Sequence, residues 1–165
     1  MDITLSLAGL DEKPVLRNLL ELYLHDASDV HQQDVGPAGL YGYLYLDHYW
    51  TDEGRYPFLI RADGRWAGFA LVNEHAVVFP GARSVSEFFV IKKFRRLGVG
   101  RRVACQIFDR FPGAWEVRQL AANAPARDFW RAVVGDYTGG RFREYYLDDE
   151  RWHGWAQVFK TPSRR

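Results

Sequence analysis

Between Phe88 and Arg102 the chain reads FFVIKKFRRLGVGRR: an apolar run, a basic cluster, two glycines one residue apart, and further arginines. The apolar run ends at Ile91 and an amphipathic helix is predicted from Gly98, so Lys92 to Leu97 join a strand to a helix. Such a corner leaves backbone N–H groups free at the positive end of the helix dipole, and glycine lets a ligand come close to them. Lys92, Lys93, Arg95, Arg96, Arg101 and Arg102 add the cations that a multiply phosphorylated ligand needs. The chemistry indicated is phosphate binding; a solvated basic turn is the plain alternative. A nucleoside-triphosphate loop requires GxxxxGK[ST], which is absent, and the dinucleotide fingerprint requires a third glycine where Val103 stands.

A second chemical signal lies in the strand before this corner. Glu87 is a carboxylate in an otherwise apolar run, two residues from Phe89 and therefore on the same pleat face. It is either a base or the partner of an arginine or of solvent. Cys105 is the single cysteine, which excludes an intrachain disulfide, and its place within the helix suits a buried thiol better than a nucleophile. His25, His31, His48, His75 and His153 show neither HxxxH nor HExxH spacing, so no metal site is expected. His48 beside Asp47 could line an acceptor pocket, though such a histidine is more often a plain surface or core residue.

The elements that must position these residues follow from periodicity. Ile3, Leu5 and Leu7 alternate as a strand. From Asp11 to Leu24, with Pro14 in the first turn, Val15, Leu16, Leu19, Leu20, Tyr23 and Leu24 share one face of a helix. His25 to Gly39 reads as a loop, and LYGYLYLDHYW (40–50) as an aromatic segment, helix or strand. PFLIRADGRWAGFALV is a hairpin turning at Asp63-Gly64. Val85 to Ile91 is a strand and Gly98 to Phe111 a helix; Trp115 to Ala121 is a strand. Asn123 opens a further helix, and Phe142 to Phe159 forms two antiparallel strands around Asp148-Asp149-Glu150. With 165 residues and nearly half of them apolar, a real core is expected, arranged as α/β around one mixed sheet. The formal charge of +1 gives no general attraction for nucleic acid. No basic-then-apolar leader and no stretch of membrane-span length occurs, so a cytoplasmic protein with no membrane partner is expected.

Arg95-Arg96-Leu97-Gly98-Val99-Gly100, between a strand and an amphipathic helix, resembles the [Q/R]xxGx[G/A] signature of the GNAT superfamily, the acyl-CoA-dependent N-acetyltransferases. The order of elements is similar along the whole chain, and specific residues are similar from Val85 to Gly135. The resemblance implies a single mixed, mostly antiparallel central sheet flanked by helices, with residues 1–165 as one GNAT-like domain. It implies acetyl-CoA as cosubstrate. Phe89, Val90 and Ile91 would offer main-chain groups to pantetheine, and Leu97, Gly98, Val99, Gly100, Arg101 and Arg102 would offer amides to pyrophosphate. Arg95 or Arg96 would reach a phosphate by side chain, and Asn123 would touch pantetheine or simply cap its helix.

Acetyl transfer needs a neutral amine, so Glu87 is the base candidate. Many members carry an acidic tyrosine seven residues after that asparagine; here the position is Trp130, grouped with the cofactor contacts, whose indole N–H is no proton donor at neutral pH. Tyr137, Tyr145 and Tyr146 are alternative acids, unranked. The aromatics of 40–50 with Tyr145, Tyr146, Trp152 and Trp155, near Asp47, Asp148, Asp149 and Glu150, favour a small cationic amine over a peptide as acceptor. The late strands and exposed aromatics permit a homodimer. An acyl-CoA-binding sensor without turnover is the alternative function.

Overall fold

The computed structural model describes residues 1–163. Strand β1 (Ile3–Leu7) is followed by helices α1 (Lys13–Asp26), α2 (Ser28–His31) and α3 (His48–Thr51). Strands β2 (Tyr56–Ala62), β3 (Arg65–Asn73) and β4 (Arg83–Val90) come next, then α4 (Val99–Arg110), β5 (Ala114–Leu120), α5 (Ala124–Thr138), β6 (Phe142–Asp149) and β7 (Trp152–Lys160). The strands form a seven-stranded sheet in the order β1-β2-β3-β4-β5-β7-β6. Every pairing is antiparallel except β4 with β5.

The expected element order is the one observed, with local differences. The first helix runs past Leu24 to Asp26 and a further turn occupies 28–31, because the polar residues there sit on the solvent side of a helix already anchored by Leu16, Leu19, Leu20 and Leu24. The 40–50 segment is neither a full helix nor a strand; only His48–Thr51 is helical. The β2–β3 turn is Asp63-Gly64 with φ of 48° and 74°, the left-handed pair that a two-residue hairpin of this hand requires. The last turn lies at Glu150-Arg151, one step beyond its expected place, because β6 stays paired as far as Asp149.

Each face of the sheet has its own core. Leu16, Leu19 and Leu20 of α1 pack on Leu59, Phe69, Leu71 and Phe89. On the opposite face Val103, Ile107 and Phe108 of α4 and Trp130, Val133 and Val134 of α5 pack on Val85, Trp115, Val117 and Phe159. Leu16 and Phe108 are completely buried, and full burial of such a side chain contributes about 1.5–3 kcal/mol. Phe108 is ringed by Trp115, Trp130, Tyr137 and Phe159, so the abundant aromatics serve first as core.

Two irregularities of β4 matter for the site. Leu71 lies opposite Glu87 but Val72 lies opposite Val85, so Ser86 is an extra residue, a bulge that reverses the pleat. Val85 therefore faces α4 and α5 while Phe89 faces α1. The second irregularity is that β4 pairs with β5 only from Arg83 to Val85, against Trp115 to Val117. Beyond that point β5 pairs with β7 alone, and the two parallel strands part in a wedge.

Candidate active site

The bulge at Ser86 turns Glu87 toward α1. There the hydroxyl of Tyr23 donates to Glu87 Oε2 at 2.5 Å and that of Tyr43 donates to Oε1 at 3.3 Å. Tyr23 is on the buried flank of α1, and its ring meets Phe69 and Phe89. Tyr43 belongs to the aromatic segment, which is tied down where Glu21 accepts the amides of Tyr41 and Gly42 at 2.9 and 2.8 Å. Lys13 grips the same segment at Asp47, 2.5 Å away. Glu87 is partly exposed as a residue, yet its carboxyl group is enclosed under these tyrosines, and the loss of solvent raises its pKa above the ordinary carboxylate value while both tyrosine hydrogen bonds oppose the rise. Burial first, and then the neighbouring carboxylate, push both phenols upward. Tyr49 adds a hydroxyl that is buried without a hydrogen-bond partner, and that burial raises its pKa. The cluster is a carboxylate with a raised proton affinity surrounded by hydroxyls.

The wedge opens beside this cluster. Ile91 N donates to Ala67 O at 2.8 Å, and a Cβ on Gly68 would lie 1.9 Å from Phe89 O. The main chain of Phe89 and Ile91 thus addresses β3, and that of Phe88 and Val90 addresses the open edge. The three residues expected to offer main-chain groups there divide accordingly: only Val90 does so, joined by Phe88. Val90 O is already taken by Arg95 Nε at 2.7 Å.

At the end of the wedge the glycine corner begins α4. Gly98 is the N-cap with φ of 78°, a conformation that only glycine adopts without strain. It carries no side chain to cap the helix, so the amides of Val99, Gly100 and Arg101 point outward unshared. Arg102 N is different, since it donates to Gly98 O at 3.1 Å. Gly100 is where the helix meets Phe129; an added Cβ would lie 3.2 Å from that ring. The cations are unequal too. Arg95 also binds Asp26 at 2.6 Å, which Lys92 approaches at 3.5 Å. Partial burial pushes Asp26 up, but these two cations hold its pKa below the usual value. Arg101 pairs with Asp136 at 2.6 Å, and Arg102 donates to Met1 O. Arg96 and Lys93 are exposed, with no carboxylate partner among the described residues.

None of the other candidates bonds to Glu87. Asn123 accepts from Ala126 N at 3.3 Å and so caps α5. Trp130 is 5% exposed, packed by Phe88, Phe108 and Phe129. Tyr145 and Tyr146 are on β6, at the far edge of the sheet and three strands from Glu87. Tyr137 donates to Asp109. His48 is paired with Asp52 at 2.9 Å, and burial raises the Cys105 thiol above its ordinary value. No cluster of metal-ligating side chains occurs among the described residues, and no helix there is long and apolar enough to cross a membrane. Neither Tyr23 nor Tyr43 could be linked to Glu87 from the sequence, since they reach it from 64 and 44 residues away; Tyr43 figured there only among the aromatics of the acceptor segment. Tyr23 was visible only as part of an apolar helix face.

Known structures share this frame. An acetyltransferase from Thermus thermophilus superposes with a TM-score of 0.71 at 15% identity, covering 97% of each chain. The ribosomal-protein-S18-alanine N-acetyltransferase of Escherichia coli gives 0.62 at 16% identity, over 99% of this chain and 97% of that one. The PaiA N-acetyltransferase of Thermoplasma acidophilum, in complex with coenzyme A, gives 0.63 at 9% identity over 97% and 99%. No curated protein matches by sequence. The family model described as Acetyltransferase (GNAT) family matches residues 16–135, from α1 through the bulged strand and the glycine corner to α5. A match over most of the chain, spanning both the Glu87 carboxylate and the glycine corner, places this protein in the GNAT family of acetyltransferases.

Proposed function

We propose that the chain transfers an acetyl group from acetyl-CoA to a primary amine directly, with Glu87 as the general base. The observation that carries this reading is the Glu87 carboxylate, raised in proton affinity and held by Tyr23 and Tyr43 where β4 parts from β5. Acetyl-CoA would supply the acetyl group as a thioester. The outward amides of Val99, Gly100 and Arg101, with the Arg96 guanidinium, suit its pyrophosphate. The open edge at Phe88 and Val90 suits the amides of its pantetheine arm, added as a strand would be.

An amine acceptor arrives mostly as an ammonium ion and must lose a proton before its nitrogen has a lone pair to attack with. Glu87 accepts that proton at Oε1 or Oε2, and a raised pKa brings the group closer to the operating pH, where a base is most effective. Tyr23 and Tyr43 keep the carboxylate oriented and limit the rise. Attack forms the C–N bond and leaves the nitrogen with one proton too many; as the C–S bond breaks, the thiolate, a good leaving group, takes that second proton from the nitrogen directly or through water, and Glu87 later releases the first to solvent. A small amine that presents its cation to a carboxylate and aromatic faces fits this cluster better than an acidic acceptor does.

Calorimetric titration with acetyl-CoA, CoA and 3′-dephospho-CoA, followed by thiol release with a panel of primary amines and short peptides, tests the reading. Saturable binding and transfer to an amine are expected; no binding to folded protein overturns it. The buried Trp130, which offers no hydroxyl near Phe88, favours a second reading as an acyl-CoA sensor. Binding without transfer to any acceptor would select it.

A further inference from the structure

The two edges of the sheet are unequal. β1 has five residues, and Arg102 and Arg110 lie over it, donating to Met1 O and Leu5 O at 3.3 and 3.4 Å. β6 has eight. Ala121 N donates to His153 O, which fixes which residues of β7 address β5, and hence which residues of β6 face outward: Phe142, Glu144, Tyr146 and Asp148. No side chain among the described residues bonds to their main chain. A long open edge is a template for another strand unless something covers it.

The sequence of that edge says what covers it. Its centre is uncharged and exposed, with Tyr145 39% and Tyr146 52% accessible. Cations precede it, Arg141 and Arg143, and neither has a carboxylate partner among the described residues. Anions end it, Asp148, Asp149 and Glu150; Asp148 is paired with His153 and Asp149 with Arg151 of the same chain, and three carboxylates against one arginine leave that end net negative. A strand that is positive at one end and negative at the other is complementary to itself when laid antiparallel.

We propose that the protein is a two-fold homodimer in which β6 pairs antiparallel with β6 of a second copy, the axis passing through Tyr145. This register sets Arg141 opposite Asp149 and Glu144 opposite Tyr146, and it opposes no like charges. Arg143 lies diagonal to the same Asp149. A groove of about 550 Å³ beside the strand, floored by Val78, Phe79, Phe142 and Tyr145 and carrying Arg141 and Arg143, lies where the second copy's acidic turn arrives. The resulting sheet has fourteen strands, twice the seven of one chain.

The test is the mass in solution by sedimentation, with amide exchange as a second readout. The wild type is expected to sediment as a dimer, with the amides of Glu144, Tyr146 and Asp148 protected in proportion to association. Arg141→Glu with Arg143→Glu should weaken it at least about tenfold by facing like charges across the axis, as should Asp149→Lys alone. Mixing these two variants should restore the dimer, because each supplies the charge the other lacks. A wild type that stays monomeric up to about 100 μM, where even a weak specific interface assembles, overturns the proposal. So does a dimer indifferent to all three substitutions, or one in which those amides exchange freely.

Discussion

Replacing Glu87 by Gln separates catalysis from folding. Gln keeps the size and both tyrosine contacts: its Oε1 accepts from one phenol and its Nε2 donates to the other, so the 2.5 and 3.3 Å pair retains partners. What is lost is a group that can take up a proton. General bases contribute about 10²–10⁴-fold to rate, so kcat/KM for the best amine should fall by about that factor. Stability should move the other way. Burial raises the pKa of Glu87 in the folded chain above its unfolded value, so its favourable contribution is complete at acid pH and is lost as pH rises through the raised pKa. The uncharged amide suffers no such loss. The variant's melting temperature should equal the wild type's in acid and exceed it toward neutral pH, where about 1 kcal/mol corresponds to about 2–4 °C in a domain of this size. The assays are thiol release across pH and thermal unfolding at matched pH. A variant within about threefold of wild type at every pH, or one that melts below wild type at neutral pH, refutes the reasoning.

Tyr23→Phe removes the shorter of the two bonds that hold the Glu87 pKa down, so the rising limb of the kcat/KM profile should move to higher pH, which a pH series measures. Glu116→Gln acts on a completely buried carboxylate that accepts the amides of Val77, Val78 and Phe79 at 2.8, 2.8 and 2.9 Å and Arg118 at 2.8 Å. An amide there turns a donor toward these donors, and a loss of about 3 kcal/mol is expected in urea unfolding, with faster exchange at those three amides. Gly68→Ala forces a Cβ to 1.9 Å from Phe89 O; neither backbone can yield cheaply, and about 3 kcal/mol or more should be lost, or soluble protein not recovered.

The fold was legible wherever one local signal sufficed. Asp63-Gly64 specified its turn, the leucines of α1 specified its buried face, and the alternation from Trp115 marked β5. The glycine corner was legible because its residues are contiguous. The rest depended on long-range geometry. Strict alternation from Val85 would give Glu87 the α4–α5 face, and nothing local in VSEFFVI announces that Ser86 bulges. The aromatic segment could not be placed because its conformation is fixed from outside, by Glu21 and Lys13 of α1. Arg95 and Arg96 look alike in sequence, yet Asp26 and Val90 O hold the first and leave the second to solvent. The wedge itself is a mismatch of pairing partners and leaves no trace in composition.

That wedge also makes the molecule mechanically uneven. Three residue pairs, Arg83 to Val85 with Trp115 to Val117, are all the ladder that joins the four-strand half of the sheet to the three-strand half. A load that shears one half against the other concentrates on those pairs and on the aromatic packing of Phe88 with Phe129 and Trp130 beneath them. A molecule whose amides bonded to Phe88 and Val90 on one side and to β5 on the other would act as a rivet across the seam, stiffening the sheet while bound.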